Sequence, residues 1–373
     1  MFVLQRLTLT DFRNYAALTW RPESRIAVIT GPNGSGKTNL LEAVSLLAPG
    51  RGLRGARMAE VARHGGGGRW AVAGRLQAGN AEPFDVGTGT LSDGPADRRV
   101  FRLDGATPRS QAEIMARVAA VWLTPQMDGL FAESASGRRR FLDRLVWALE
   151  PGHAREAAAH EAAVASRNRL LATRPGDAAW LAGLEESIAR HAVALAAARQ
   201  SFVARLNAAA LPSTAFPRAR LTLLDPVAER LAWEPALAVE GFLHAALAAS
   251  RAEDAARGAT SIGAHRADFA MADAATGQQA AQASTGQRKA LLLGIILAHA
   301  ALIAEARATP PLLLLDEPAV HLDADRREAL FAALAALPGP ALLTGTDAHV
   351  FAPLRGVAGF WLAGEGEVKN VLF

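Results

Sequence analysis

Cysteine is absent from this sequence of 373 residues, which excludes disulfides, thiolate zinc sites and iron–sulfur clusters. Lysine is scarce too. Three lysines (Lys37, Lys289, Lys369) stand against thirty-seven arginines, and Tyr15 is the single tyrosine. With so little to titrate between neutrality and the arginine range, the sequence pI of about 10.2 overstates a net charge of only +4. No apolar run is expected to match a membrane span, and the start, MFVLQRLTLTDFRNY, lacks the pattern of a secretory signal. A cytoplasmic chain with no membrane partner is the expectation.

What remains is half hydrophobic and one-fifth charged, enough for one large or two ordinary domains with ample core. Charge is uneven: residues 1–137 hold 16 basic and 12 acidic side chains, 138–257 hold 16 and 13, and 258–373 hold 8 and 11. The most specific stretch is Gly31-Pro32-Asn33-Gly34-Ser35-Gly36-Lys37-Thr38, entered from the apolar run 26–29 and left through a helical pattern over 39–47. Strand, glycine-rich loop and helix in that order are the setting of a phosphate-binding loop. The glycines let successive N–H groups converge on one anion at the helix N-terminus. Lys37 reaches β- and γ-phosphate oxygens and Thr38 offers a hydroxyl to Mg²⁺, so a nucleotide is expected as its magnesium complex.

Residues 2–10, 17–20 and 26–30 alternate as strands, and segments at 70–76, 84–90 and 100–103 predict an antiparallel sheet. Between them Arg51, Arg54, Arg57 and Arg63 stand against one acid, Glu60. Such a cluster is either a solvated edge or a contact for phosphate backbone. The apolar strand 118–123 ends in Thr124-Pro125-Gln126; a glutamine there is either a surface side chain or one that reaches Mg²⁺ or an attacking water. From 134 to 211 the pattern is helical, with runs at 138–149, 155–173 and 178–210, the last two split by the hairpin turn Arg174-Pro175-Gly176-Asp177. Leu181, Leu184, Ile188, His191, Leu195 and Phe202 mark a packed seam, with His191 a packed or edge histidine. A break over 211–217, a strand over 218–226 and a helix over 234–257 follow.

The last third returns to the nucleotide. Leucines 312–315 lead into Asp316-Glu317-Pro318, an apolar strand ending in two acids, the form of a Walker B segment. Asp316 would hold Mg²⁺, generally through water, and Glu317 would polarise the attacking water. Lys37 and Asp316 are 279 residues apart, farther than a simple P-loop core needs, so a segment is inserted between two halves of the nucleotide fold. Ser284-Thr285-Gly286-Gln287 opens an apolar helix over 290–304, either as a plain N-cap or as an anion site of hydroxyl and N–H groups. It resembles the LSGGQ signature of ABC-type ATPases, where that helix meets the γ-phosphate held by a partner subunit. His321-Leu322-Asp323 resembles the D-loop of that class, and Thr346, after a strand over 341–344, stands nearest to the place of its switch histidine.

DFRNY at 11–15, GPNGSGKTNLLEA at 31–43, GRGLR at 50–54, TPQ at 124–126 with SGRRRFLD at 136–143, GAHRADF at 263–269, STGQRK at 284–289 and LLLLDEP at 312–318 together resemble the RecF family of bacterial recombination and replication-repair ATPases, relatives of the SMC proteins. The motifs span nearly the whole chain in the family's order, while about 150–260 matches in helical character alone. The family usually has an acid at Gln126, and its GPHRDD-like segment stands here as GAHRAD, with Ala264 and Ala267.

The resemblance implies an α/β fold: a split P-loop ABC-type ATPase head (SMC/RecF-like) made of residues 1–137 and 258–373, with an inserted helical arm domain over 138–257. It implies a weak ATPase that forms a homodimer on ATP binding. Two ATP molecules would lie between residues 31–38 of one chain and Ser284, Gly286 and Gln287 of the other, with Asp323 near the nucleotide. Lys37, Glu317 and Gln126 would serve catalysis, and Thr38, Asp316 and Gln126 would face Mg²⁺. DNA, as duplex next to single-stranded gaps, would meet Arg51, Arg54 and Arg57, placing the chain at the nucleoid. RecO and RecR are the implied partners, helping load RecA in DNA repair, the SOS response and replication restart. Three other readings use the same site: an ABC transporter ATPase subunit, an SMC-like ATPase subunit of a nuclease complex, and a DNA-binding scaffold that holds ATP without turning it over.

Overall fold

The computed structural model describes residues 2–91, 98–209, 216–307 and 309–371. The chain divides into two compact units, Met1–Asp128 with Ala210–Arg218 and Ser284–Phe373, and Gly129–Ala209 with Ala219–Ala283. The first unit opens with β1 (Phe2–Phe12), β2 (Tyr15–Trp20), β3 (Ile26–Thr30), α1 (Lys37–Ser45), β4 (Ala71–Ala78), β5 (Phe84–Thr90), β6 (Arg99–Leu103), α2 (Gln111–Arg117) and β7 (Ala120–Leu123). Five of these strands make an antiparallel sheet in the order β2-β1-β4-β5-β6. Its strands alternate buried and accessible positions, as in Ala71–Ala78, because such a sheet can bury one face and leave the other to water. β1 shifts register between Leu4 and Arg6 against β4, a bulge of the kind that bends a long strand.

The second unit contains α3 (Ala135–Leu149), α4 (His153–Thr173), α5 (Ala178–Ala208), β8 (Ala219–Leu224), α6 (Pro226–Leu231), α7 (Ala236–Ala249), α8 (Arg251–Arg257) and β9 (Asp268–Asp273). It is helical with a two-stranded ribbon, β8 antiparallel to β9. Because β9 pairs with β8 and α3 starts at Ala135, the positions 137/138 and 257/258 read from the sequence fall inside this unit. The turn before α5 is capped by the Asp177 carboxylate, which accepts from Trp180 N at 3.2 Å. Of the expected seam, Leu181, Ile188, Leu195 and Phe202 are buried, while half-buried His191 meets Glu156 at 2.7 Å. The helix expected over 234–257 is two helices. They meet at Ser250, whose hydroxyl lies 3.1 Å from Leu247 O and 2.8 Å from an Asp254 carboxylate oxygen, local partners of the kind that compete with a continued helix. The expected break over 211–217 lies outside the described residues except for 216 and 217.

Charge is also buried here. Arg167, fully enclosed, donates to Glu185 at 3.0 Å, to Asp254 at 2.7 Å, to Thr260 at 2.9 Å and to Leu247 O at 2.7 Å. A buried guanidinium with its donors met in this way is tolerated, whereas one stripped of partners is not. The SGRRRFLD and GAHRADF segments meet in this unit: Arg138 grips Asp268 with two bonds of 2.8 and 2.7 Å, and Arg139 donates to Ala267 O at 2.6 Å.

The first unit resumes with α9 (Thr285–Arg307), β10 (Leu312–Leu315), α10 (Ala324–Ala336), β11 (Ala341–Gly345), β12 (Ala358–Gly364) and β13 (Glu367–Asn370). Its second sheet runs β13-β12-β3-β11-β10-β7, parallel apart from β13. Every residue of β3, β7, β10 and β11 is buried, which is why these strands read as continuous apolar runs rather than alternating ones. One expectation is corrected: α9, 23 residues long, holds an 18-residue window with a mean hydropathy of 1.8 and is by length and composition apolar enough to cross a membrane. That window is 78% buried inside the protein, against β7 of the sheet and α10 among others, as the core helix of a globular unit is.

Candidate functional site

The loop between β3 and α1 is built for close backbone approach. Gly31, Gly34 and Gly36 have φ of 147°, 82° and 101°, values that side chains disfavour. At Gly36 space adds a second constraint, since a Cβ would come within 2.5 Å of Asn14 Nδ2 and 2.8 Å of the Tyr15 hydroxyl. Tyr15 donates to Gly36 O at 3.1 Å, and its burial pushes the phenol up to about 12, so it stays a donor. The Lys37 ammonium is folded back onto the loop, donating to Gly31 O and Pro32 O at 2.8 Å each. Burial lowers its pKa, against the opposing charges of Glu317 and Asp316.

Across the sheet, Asp316 leaves the end of β10, where its N–H donates to Leu123 O at 2.9 Å. Thr38 donates its hydroxyl to the Asp316 carboxylate, at 3.0 Å to Oδ1 and 2.9 Å to Oδ2. A second hydroxyl, unread in the sequence, organises the acid pair. Thr344, at the end of β11, donates to Asp316 Oδ1 at 2.6 Å and accepts from Glu317 N at 2.9 Å. Thr346, read as nearest to the switch position, lines a small cavity of about 240 Å³ with Glu317, His321, Arg327 and Phe351. Glu317 has φ of 50°, a left-handed backbone that costs a non-glycine residue about 1–2 kcal/mol.

The other expected residues sit around this centre. Gln126 is exposed in the short turn that follows β7, whose Leu123 stands opposite Leu315 of β10. Ser284 and Gln287 form a reciprocal capping box before α9: Ser284 N donates to Gln287 Oε1 at 2.9 Å and Gln287 N to Ser284 Oγ at 3.3 Å. Gly286 is required by contact, because a Cβ there would come within 2.5 Å of His321 O. Asp323 caps α10 by accepting from Arg326 N at 2.8 Å. Arg51, Arg54 and Arg57 are exposed, and Arg54 donates to Glu42 at 2.9 Å and to Asn39 at 2.5 Å. Glu42, buried within α1, is also held by Arg13 at 2.8 and 2.6 Å. The DFRNY, GRGLR and phosphate-loop segments thus converge on one carboxylate that the apolar period of α1 gives no reason to notice.

Residues 3–338 match the family model of the RecF/RecN/SMC N-terminal domain. The chain is 46% identical over 369 residues to the DNA replication and repair protein RecF of Mesorhizobium japonicum, covering 98% of this chain and 97% of that one. The chain belongs to the RecF family. It is equally 46% identical, over 372 residues and 98% of each chain, to the RecF of Allorhizobium ampelinum. Among solved structures, the recombination mediator protein RecF-ATPrS in the RecFOR pathway superposes with a TM-score of 0.83 at 21% identity, over 100% of this chain and 98% of that one. The Smc head domain with an extended coiled coil from Pyrococcus furiosus reaches 0.54 at 15% identity, over 100% and 96%. The fold is therefore the RecF/SMC head, mixed α/β with a helical insert, as the motifs led one to expect.

Proposed function

We propose that this chain is an ATP-dependent DNA clamp of recombinational repair and replication restart, dimerising on ATP and working with RecO and RecR to help load RecA. The observation that carries the reading is the Thr38 hydroxyl on the Asp316 carboxylate: two residues 278 positions apart lie within one hydrogen bond, the arrangement a magnesium nucleotide needs. A hydroxyl and a carboxylate are hard oxygen donors that suit Mg²⁺, which keeps several waters and takes further ligands from phosphates. Among the described residues no group of three or more His, Cys, Asp or Glu could hold a metal ion, so the ion is expected to arrive with ATP, with Gln126 at its rim. Bound there, it would neutralise charge on the β- and γ-phosphate oxygens.

On this reading residues 31–38 present their N–H groups to the phosphates, and the Lys37 ammonium exchanges the loop carbonyls for phosphate oxygens. Glu317 accepts the proton of the attacking water. Ser284, Gly286 and Gln287 of a second chain meet the γ-phosphate, with Asp323 beside them, so that ATP shifts a population from open chains to a closed dimer and slow hydrolysis resets it. Exposed Arg51 and Arg57, with Arg54, contact DNA phosphates without sequence preference. Similarity to RecF proteins over nearly the whole chain favours this role over a transporter or nuclease-complex subunit.

Anisotropy of a labelled gapped duplex tests the reading. ATP with Mg²⁺ is expected to tighten DNA binding by wild type, to do nothing for Lys37→Arg, and to give a longer-lived complex with Glu317→Gln. Affinity indifferent to nucleotide in all three would sink it.

A further inference from the structure

Lys289, one of three lysines, lies in the first turns of α9 and is buried, at 1% exposure. Burial of an ammonium is costly unless its donors are met. Its Nζ donates to the main-chain oxygen of Glu317 at 2.8 Å and stands 3.6 Å from Asp128 Oδ2. Asp128 belongs to the turn Pro125–Gly129 that carries Gln126, and its backbone oxygen accepts from Arg288 at 3.3 Å. Burial lowers the Lys289 ammonium and raises the Asp128 carboxyl, each opposed by the other's charge.

The contact falls on a stretch of left-handed backbone. Glu317 and His321 both have positive φ, 50° and 65°. Strain of this kind persists only where the surroundings over-determine it. The amide side of Glu317 is held by Thr344 Oγ1 at 2.9 Å. Its carbonyl side is held by Lys289, while the close approach of Gly286 to His321 O keeps the start of α9 against the same turn.

We propose that Lys289 is a positioning residue for Glu317: its ammonium fixes the Glu317 carbonyl, and so the backbone from which that carboxylate is aimed, and ties it to the Asp128 turn beside Gln126. This rests on the reading of Glu317 as the proton acceptor. Through Lys289 the start of the signature helix, the acid pair and the Gln126 turn share one ammonium, so a movement of α9 is transmitted to the catalytic carboxylate.

Lys289→Met alone would leave the half-buried Asp128 carboxylate without its ammonium partner and could simply unfold the site. The decisive variant is therefore Asp128→Asn with Lys289→Met, which removes both charges, measured beside Lys289→Arg, Glu317→Gln and the triple combination. Melting temperature, equilibrium ATP binding and single-turnover hydrolysis are read for each. With the fold and ATP affinity near wild type, the double variant should hydrolyse bound ATP about 10- to 100-fold more slowly, the scale of a misplacement of about 1 Å. Lys289→Arg should recover part of that loss, and adding the double change to Glu317→Gln should slow it no further. If Glu317→Gln is slow but the double variant turns over like wild type, or the losses multiply in the triple variant, the positioning role is wrong and the functional reading stands. If Glu317→Gln turns over like wild type, the role of Glu317 fails first and that of Lys289 with it.

Discussion

Replacing Thr344 by valine keeps the shape of a fully buried side chain and removes one oxygen. That oxygen donates to Asp316 at 2.6 Å and accepts the Glu317 N–H at 2.9 Å. A hydrogen bond to a charged group contributes about 1.5–3 kcal/mol, and a buried N–H left without a partner costs about 1–3 kcal/mol. Because Asp316 keeps its bond from Thr38, the lower part of the combined range applies, and a stability loss of about 2.5–4 kcal/mol is expected. The larger consequence is kinetic. Freed at its amide, Glu317 can relax from its φ of 50°, and hydrolysis of bound ATP should fall about 10- to 100-fold while ATP affinity, set by residues 31–38, stays within about threefold. Thr344→Ser keeps the hydroxyl and is the control. Single-turnover hydrolysis at saturating ATP, with ATP affinity measured separately, reads both effects. If the valine and serine variants hydrolyse at the same rate, Thr344 does not organise the acid pair.

Three further outcomes are expected. Arg167→Met should destabilise the second unit by about 3–5 kcal/mol, since it removes the cation paired with buried Asp254, while Glu185 keeps Arg251 at 2.5 Å; chemical denaturation followed by far-ultraviolet circular dichroism reads it, and a loss below about 1 kcal/mol would contradict the buried network. Stability of that unit should fall on acidification below pH ~6.5: burial holds His160 down at about 3 and also lowers His265, so the unfolded chain binds more protons across that window, with a slope of about 1.4 kcal/mol per pH unit for each histidine. Asp143 adds to the loss only further down, between its ordinary range and about 2, where partners His153 and Arg199 outweigh burial; His160→Phe should flatten the upper part of the thermal-midpoint profile, and an unchanged slope would refute the assignment. Replacing Arg51, Arg54 and Arg57 together should weaken DNA binding and reduce its salt slope by about 0.9 for each phosphate that is no longer neutralised, and Arg51 with Arg57 should account for most of it because Arg54 is engaged by Glu42.

The features legible in the sequence were those whose cause is local. The phosphate loop shows its glycines, Lys37 and Thr38 in one stretch, and β10 shows four leucines before two acids because a strand buried on both faces must be apolar throughout. The inserted unit was visible as helical periodicity, and one strand of its ribbon, β8, was read over 218–226; β9 was not, because it is short and its partner lies far back in the chain. Thr344 was hidden in an apolar strand and matters because β11 lies beside β10 in the sheet. Glu42 and Lys289 look like polar interruptions of apolar helices, and their burial follows from partners, Arg13 and Arg54 for one and the Glu317 carbonyl for the other, that no window of sequence brings together. α9 was read as an apolar helix over 290–304, but not its membrane length, since the helix extends past that run to Thr285 and Arg307 through polar ends at Arg288, Lys289 and Arg307.

The measurement that bears most directly on the central claim is the solution mass of the purified chain without nucleotide, with ADP, and with ATP plus Mg²⁺, repeated for Lys37→Arg and Ser284→Arg. The account predicts a monomer that becomes a dimer with ATP alone, and no dimer from either variant. A mass that never changes while ATP binds, or a Ser284→Arg variant that dimerises like wild type, would contradict the ATP clamp and leave a nucleotide-binding protein whose switch lies elsewhere.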